Sequence, residues 1–92
     1  MNYQALGDFT AHRQQARDAC ERRFALLFAL SLKLAELARQ PGRPLHGADL
    51  LGQLLEANAA DGEFIEALDR ANLAAPLCGK DFLEPQQFAY PA

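Results

Sequence analysis

The side chains that could act as nucleophiles are few and poorly placed for catalysis. The only serine, Ser31, lies between Leu30 and Leu32 in an apolar stretch. Cys20 follows His12 by eight residues, so two helical turns, about 12 Å, would separate the thiol from a base that must lie within about 3 Å of it. The sequence therefore predicts no catalytic residues and a protein that is not an enzyme.

The possible metal and cofactor ligands also lack a recognisable spacing. His12, His46, Cys20 and Cys78 form no C-x-x-C, H-x-x-x-H or H-E-x-x-H pattern. The stretch from Asp61 to Ile65 has some likeness to the centre of a calcium-binding loop, but alanines and a leucine occupy its other ligand positions. The single glycine before Asp49 does not make a phosphate-binding loop. We expect neither a metal nor a cofactor.

Charged residues suggest a different kind of chemistry, because they divide unevenly along the chain. Residues 1–43 carry seven Arg and Lys against four Asp and Glu, whereas residues 44–92 carry two against eight. Opposite charges of this kind favour attraction between the two halves, within one fold or across a dimer. The other interpretation is that one half recruits a charged partner.

A basic cluster within residues 13–23 could be such a surface. Arg13 and Arg17 stand one helical turn apart. Asp18 and Glu21 interleave with the arginines and can pair with Arg22 and Arg17, four residues away. Such alternation is typical of a solvated helix face. The alternative hypothesis is a regulator that contacts nucleic acid through Arg13 to Arg23. An acidic mimic of nucleic acid, which would use Glu63, Glu66 and Asp69, is the converse possibility.

The elements that must carry these side chains are predicted to be helices. Ala and Leu supply 34 residues, while the chain has no Val, one Ile and one Thr. A continuous helical pattern begins at Asp8 or Thr10 and runs to Arg39 or Gln40, where Pro41 and Gly42 end it. Such a rod, about 45 Å long, exceeds the diameter of a compact domain of this size, about 30 Å.

The remainder of the chain is predicted to form two short helices and a tail. The first spans 48–57, with an inward apolar stripe of Leu50, Leu51, Leu54 and Leu55. A turn over 58–62 follows, and Asp61 caps a third helix of about ten residues that directs Phe64, Ile65 and Leu68 inward. The tail after Pro76 is irregular but rich in aromatic residues, so it should pack on this chain or on a partner.

The apolar stretch from Phe24 to Leu34 predicts self-association. Its first residues are apolar on every face of a helix, and two short helices could not cover all of them. We expect an all-α single domain, 1–92, that completes a helical bundle as a homodimer. The residues predicted to join the two copies are Phe24, Leu27, Phe28, Leu30, Ser31 and Leu34.

These features predict a protein-interaction module of the adaptor, chaperone, inhibitor or regulator kind. Arginine and aromatic side chains dominate binding energetics at interfaces. The expected anchors for a protein partner are Arg13, Arg17, Phe82, Phe88 and Tyr90. The N-terminus lacks the basic start and apolar core of a leader, so we expect a cytoplasmic protein with reduced cysteines that does not bind membranes. Its composition is typical of a bacterial or phage accessory protein.

Overall fold

The computed structural model of the chain describes residues 2–89, and no strand forms among them. Helix α1 spans Tyr3–Arg39 and helix α2 spans Gly47–Ala74. Two short 3₁₀ turns follow, at Ala75–Cys78 and Pro85–Phe88. The prediction of an all-α chain is therefore confirmed.

Helix α1 begins earlier than predicted. The side chain of Asn2 accepts a hydrogen bond of 3.0 Å from the backbone N–H of Ala5, which satisfies one of the free donors at the helix start. Asp8 and Thr10, the predicted caps, lie inside the helix. The predicted C-terminal end is confirmed, because α1 stops at Arg39 before Pro41 and Gly42.

Helix α2 is continuous, and the prediction of two short helices separated by a turn is wrong. Asp61 does not cap a helix; its carboxylate pairs instead with Arg23 of α1 at 2.7 Å. Gly62 lies within the helix, at a cost of about 1 kcal/mol relative to alanine. Packing against α1 on both sides of this stretch outweighs that cost, since Ala57, Ala60 and Phe64 are all buried.

This continuity predicts the effect of a single substitution. A Cβ atom added at Gly62 would meet nothing within 4 Å, and the residue has no positive φ. Gly62→Ala should therefore raise the free energy of unfolding by about 0.5 to 1 kcal/mol. Urea denaturation followed by circular dichroism measures the change. A loss of stability would indicate that residue 62 adopts a turn conformation that alanine resists.

The two helices form an antiparallel hairpin whose contact seam follows a heptad pattern. Buried and half-buried residues recur at alternating steps of three and four, which is the spacing of a coiled coil. On α1 these residues are Ala5, Phe9, His12, Ala16, Ala19, Arg23, Leu26 and Leu30. On α2 they are Leu50, Gln53, Ala57, Ala60, Phe64, Ala67, Ala71 and Ala74. Half of them are alanines, whose small side chains allow helices to pack closely.

The hairpin is elongated and does not form a compact globule. It measures 63 × 24 × 13 Å with a radius of gyration of 17.5 Å, whereas a compact chain of this length has about 12 Å. Residues 13–23 of α1 consequently do not project beyond the rest of the fold, because Ala16 and Ala19 pack there against Phe64 and Ala67 of α2. Among residues 2–89, no helix has an apolar stretch long enough to span a membrane.

Candidate interaction surfaces

A charged face occupies one side of the hairpin. An open groove there is lined by Gln15 and Arg22 of α1 and by Glu63 and Arg70 of α2. Arg22 forms an ion pair with Glu63 across the helices, and Arg70 pairs with Glu66 at 2.6 Å along α2. The basic half of the chain thus meets the acidic half within one fold. These pairs are exposed, so each contributes at most about 1 kcal/mol to stability.

The opposite side, which we call the strap face, is apolar. Cys20 of α1 and Ile65 and Leu68 of α2 line it, together with parts of the C-terminal segment. That segment, residues 80–89, lies along the hairpin and is called the strap below. The chain enters it through Gly79, whose φ of 73° is a left-handed conformation that glycine adopts without strain.

The strap places the predicted aromatic anchors in different environments. Phe88 is buried, and its ring meets the ring of Phe64 edge to face at 5.5 Å between centroids. Phe82 is 63% exposed, whereas Tyr90 lies outside the described residues. Phe88 therefore belongs to the core of its own chain, and Phe82 lies at the surface.

Beyond the strap and the ion pair of Arg23 with Asp61, the same face is apolar again and is left uncovered. In a heptad frame, residues seven apart share a face. Leu27 and Leu34 follow Cys20 by seven and fourteen residues, while Leu54 and Leu51 precede Leu68 and Ile65 by fourteen. We call these four leucines, which lie near the inter-helix loop, the loop-end surface. Leu51 and Leu54 are 55% and 48% exposed, so the prediction that their stripe lies in the core is wrong.

The predicted self-association residues mostly lie at or beside this surface. Leu34 and Phe28 are each about half exposed, and the Phe28 ring stacks on that of Phe24 at 5.6 Å. Leu30 is instead buried in the seam. Ser31 donates a hydrogen bond of 2.7 Å to the carbonyl of Phe28 one turn earlier. The sequence prediction missed Leu51 and Leu54 as exposed residues, although their heptad positions could have indicated it.

The guanidinium groups of Arg13 and Arg17 lie over aromatic rings. The Arg13 guanidinium lies 5.5 Å from the centre of the Phe9 ring, and that of Arg17 lies 5.6 Å from the centre of the Phe88 ring. Within residues 2–89, neither guanidinium lies within 4 Å of a carboxylate, unlike those of Arg22 and Arg23. Both residues are exposed.

The two charged surfaces considered for nucleic-acid binding or mimicry are partly neutralised within the chain. Ion pairs neutralise Arg22 and Arg23 on the basic cluster, and Glu63 and Glu66 on the acidic one. Among residues 2–89 this leaves Arg13 and Arg17 of the basic cluster as the charges available to neutralise phosphates. Among the described residues, no three His, Cys, Asp or Glu side chains converge where a metal ion could bind.

The two cysteines are free thiols in different parts of the hairpin. Cys78 is buried beside Phe9 near the start of α1, whereas Cys20 packs beside Phe88. Eleven helical residues between Phe9 and Cys20 correspond to about 16 Å, which is too far for a disulfide.

We therefore expect two free thiols per chain with different reactivity. Cys20 is partly accessible and should react with a thiol reagent on mixing, while Cys78 should require opening of the structure. Intact mass after a timed reaction would show first one adduct and then two. A chain lighter by two hydrogens, with no reaction at all, would mean that the cysteines are bonded to each other.

Comparisons of the chain with protein-family models, curated proteins and solved structures found no match.

Proposed function

We propose that the protein is a non-enzymatic interaction module that acts as a homodimer of helical hairpins, joined through the loop-end surface. The observation that carries the proposal is the exposure of Leu34, Leu51 and Leu54 on one face of the hairpin. Apolar clusters of this kind mark interaction sites on water-exposed proteins.

The exposed area supports a dimer. The chain has 6507 Å² of accessible surface, about 1,200 Å² more than a compact monomer of its mass. A stable interface buries about 800 Å² on each partner. The elongated hairpin can therefore contribute a standard interface without losing contacts of its own.

A second copy of this chain suits the loop-end surface better than a charged partner. The surface is self-complementary in chemistry, because its four leucines carry no charge that would repel the same surface in a twofold arrangement. Two hairpins packed in this way place their apolar faces inside a four-helix layer. The strap covers the part of the face nearer the chain ends and would confine the contact to the loop end.

Light scattering after gel filtration tests the dimer. The chain of 10.1 kDa should elute with twice that mass across micromolar concentrations. A mass equal to one chain at every concentration would contradict the proposal.

The module's protein partner is proposed to bind outside the dimer contact. Arg13, Arg17 and Phe82 are the candidate anchors, since all three are exposed and the two arginines are oriented by rings beneath them. A cytoplasmic location fits two cysteines that remain free.

A further inference from the structure

The strap is held on the hairpin by contacts that resemble those of a bound peptide. The side-chain amide of Asn72 accepts a hydrogen bond of 2.7 Å from the backbone N–H of Leu83 and donates one of 3.0 Å to its carbonyl. Both main-chain groups of one residue are thereby satisfied, as they would be beside a neighbouring strand. Asn72 therefore binds the backbone of Leu83, and these two hydrogen bonds do not depend on the Leu83 side chain.

Two apolar anchors complete the contact. Leu83 packs against both buried clusters of the hairpin, and Phe88, five residues later, is buried against Phe64. The thiol of Cys20 donates a hydrogen bond of 3.2 Å to the carbonyl of Phe88. Arg17 lies over the Phe88 ring, which favours an aromatic side chain at this position.

The spacing between the anchors is fixed by the strap itself. Pro85 begins a 3₁₀ turn that ends at Phe88. The side chain of Gln87 accepts a hydrogen bond of 2.9 Å from the backbone N–H of Glu84, and this capping box closes the turn. In a segment with this sequence, the turn thus fixes the distance between the leucine and the phenylalanine, so both can pack on the hairpin at once.

The groove is longer than the part that the strap fills. Past Pro85 and Ala89 it stays open, with Arg23, Asp61 and Ile65 along its walls. At the other end of the strap, Lys80, Asp81 and Phe82 are exposed. The strap is therefore anchored mainly at Leu83 and Phe88.

We propose that this groove is a peptide-binding site, which the strap occupies within its own chain and which a segment of a partner protein that forms the same 3₁₀ turn can take over. The partner segment carries a leucine and, five residues later, a phenylalanine. The site lies beside the loop-end surface and does not depend on dimerisation. In the resting protein the strap competes with the partner, and a partner must displace it to bind.

The test uses the full chain and a fluorescein-labelled peptide with the sequence of residues 80–89. Wild type should bind the peptide weakly, because the tethered strap competes at a high effective concentration. Phe88→Ala loosens the strap without altering the groove, so fluorescence anisotropy should report binding at least 10-fold tighter than for wild type. Leu73→Ala, at an exposed leucine on α2 away from the strap, is the matched control and should leave binding unchanged.

A second variant tests the proposal in case Phe88→Ala does not fold. Leu83→Ser releases the other anchor and should also tighten peptide binding, whereas a peptide that lacks its phenylalanine should bind neither variant. A folded Phe88→Ala chain that binds the peptide no better than wild type would overturn the proposal. Unfolding of both variants would overturn it as well, since the strap would then be an obligatory part of the core. The mass from light scattering reports separately on the dimer.

Discussion

Leu54→Glu should convert the homodimer into a folded monomer. Leu54 lies at the centre of the loop-end surface and is 48% exposed in the single chain. A glutamate there stays hydrated in the monomer, so the hairpin should keep its helical circular dichroism. In the dimer, two carboxylates would be buried without partners, at a cost of several kcal/mol, which corresponds to a loss of association by a factor of at least 100.

The matched control makes the same chemical change at the other end of the hairpin. Leu73 is 75% exposed on α2, far from the loop, so Leu73→Glu should retain the dimer mass. Light scattering after gel filtration compares the two variants at one protein concentration. Dimers from both variants, or monomers from both, would show that the loop-end surface is not the contact.

Phe64→Ala should cause the largest loss of stability of any substitution considered for the core. Phe64 is buried in the seam, and its ring meets that of Phe88, so it joins both helices and the strap. Removing a buried phenylalanine costs about 3 to 5 kcal/mol. Total stability for a domain of this size is about 5 to 15 kcal/mol, so the variant should be close to unfolding at 37 °C.

Urea denaturation measures this loss, and the exposed Leu73 again supplies the control. Leu73→Ala removes a similar apolar group from a solvated position and should change the free energy of unfolding by less than about 0.5 kcal/mol. Protein concentration must be equal in all samples, because dimerisation adds to the apparent stability. Equal costs for the two substitutions would mean that Phe64 does not lie in a shared core.

The sequence was sufficient to predict the helical class and the end of α1. A lack of β-branched residues and the helix break at Pro41 and Gly42 are local signals, whose effect does not depend on tertiary packing. The charge difference between the halves also has a structural counterpart, in the pairs of Arg22 with Glu63 and of Arg23 with Asp61.

Local signals misled the prediction where long-range packing decides. Asp61 and Gly62 are typical of a turn followed by a helix cap, yet a helix that packs on a partner along its whole length continues through them. The seam was missed for a related reason. Ala16 and Ala19 lie among polar residues in the sequence, but they are buried because small side chains at heptad positions allow close helix contact.

The candidate surfaces were partly recognisable from the sequence. An apolar stretch from Phe24 to Leu34 indicated self-association. The part of the loop-end surface on α2 could not be predicted in this way, because it depends on which side of that helix faces α1. That choice leaves Leu51 and Leu54 at the surface. The burial of Phe88 depends on the pocket beside Phe64, which forms only when α1 and α2 pack together.

The most direct test of the dimer is an isotope-filtered NMR experiment on a mixture of ¹³C-labelled and unlabelled chains, which detects only contacts between copies. Methyl groups of Leu34, Leu51 and Leu54 should give inter-chain cross-peaks, because these side chains meet across the twofold axis of the proposed contact. Leu73 should give none. A dimer whose filtered cross-peaks come from Leu73 or the charged face, with none from these three leucines, would contradict the loop-end contact.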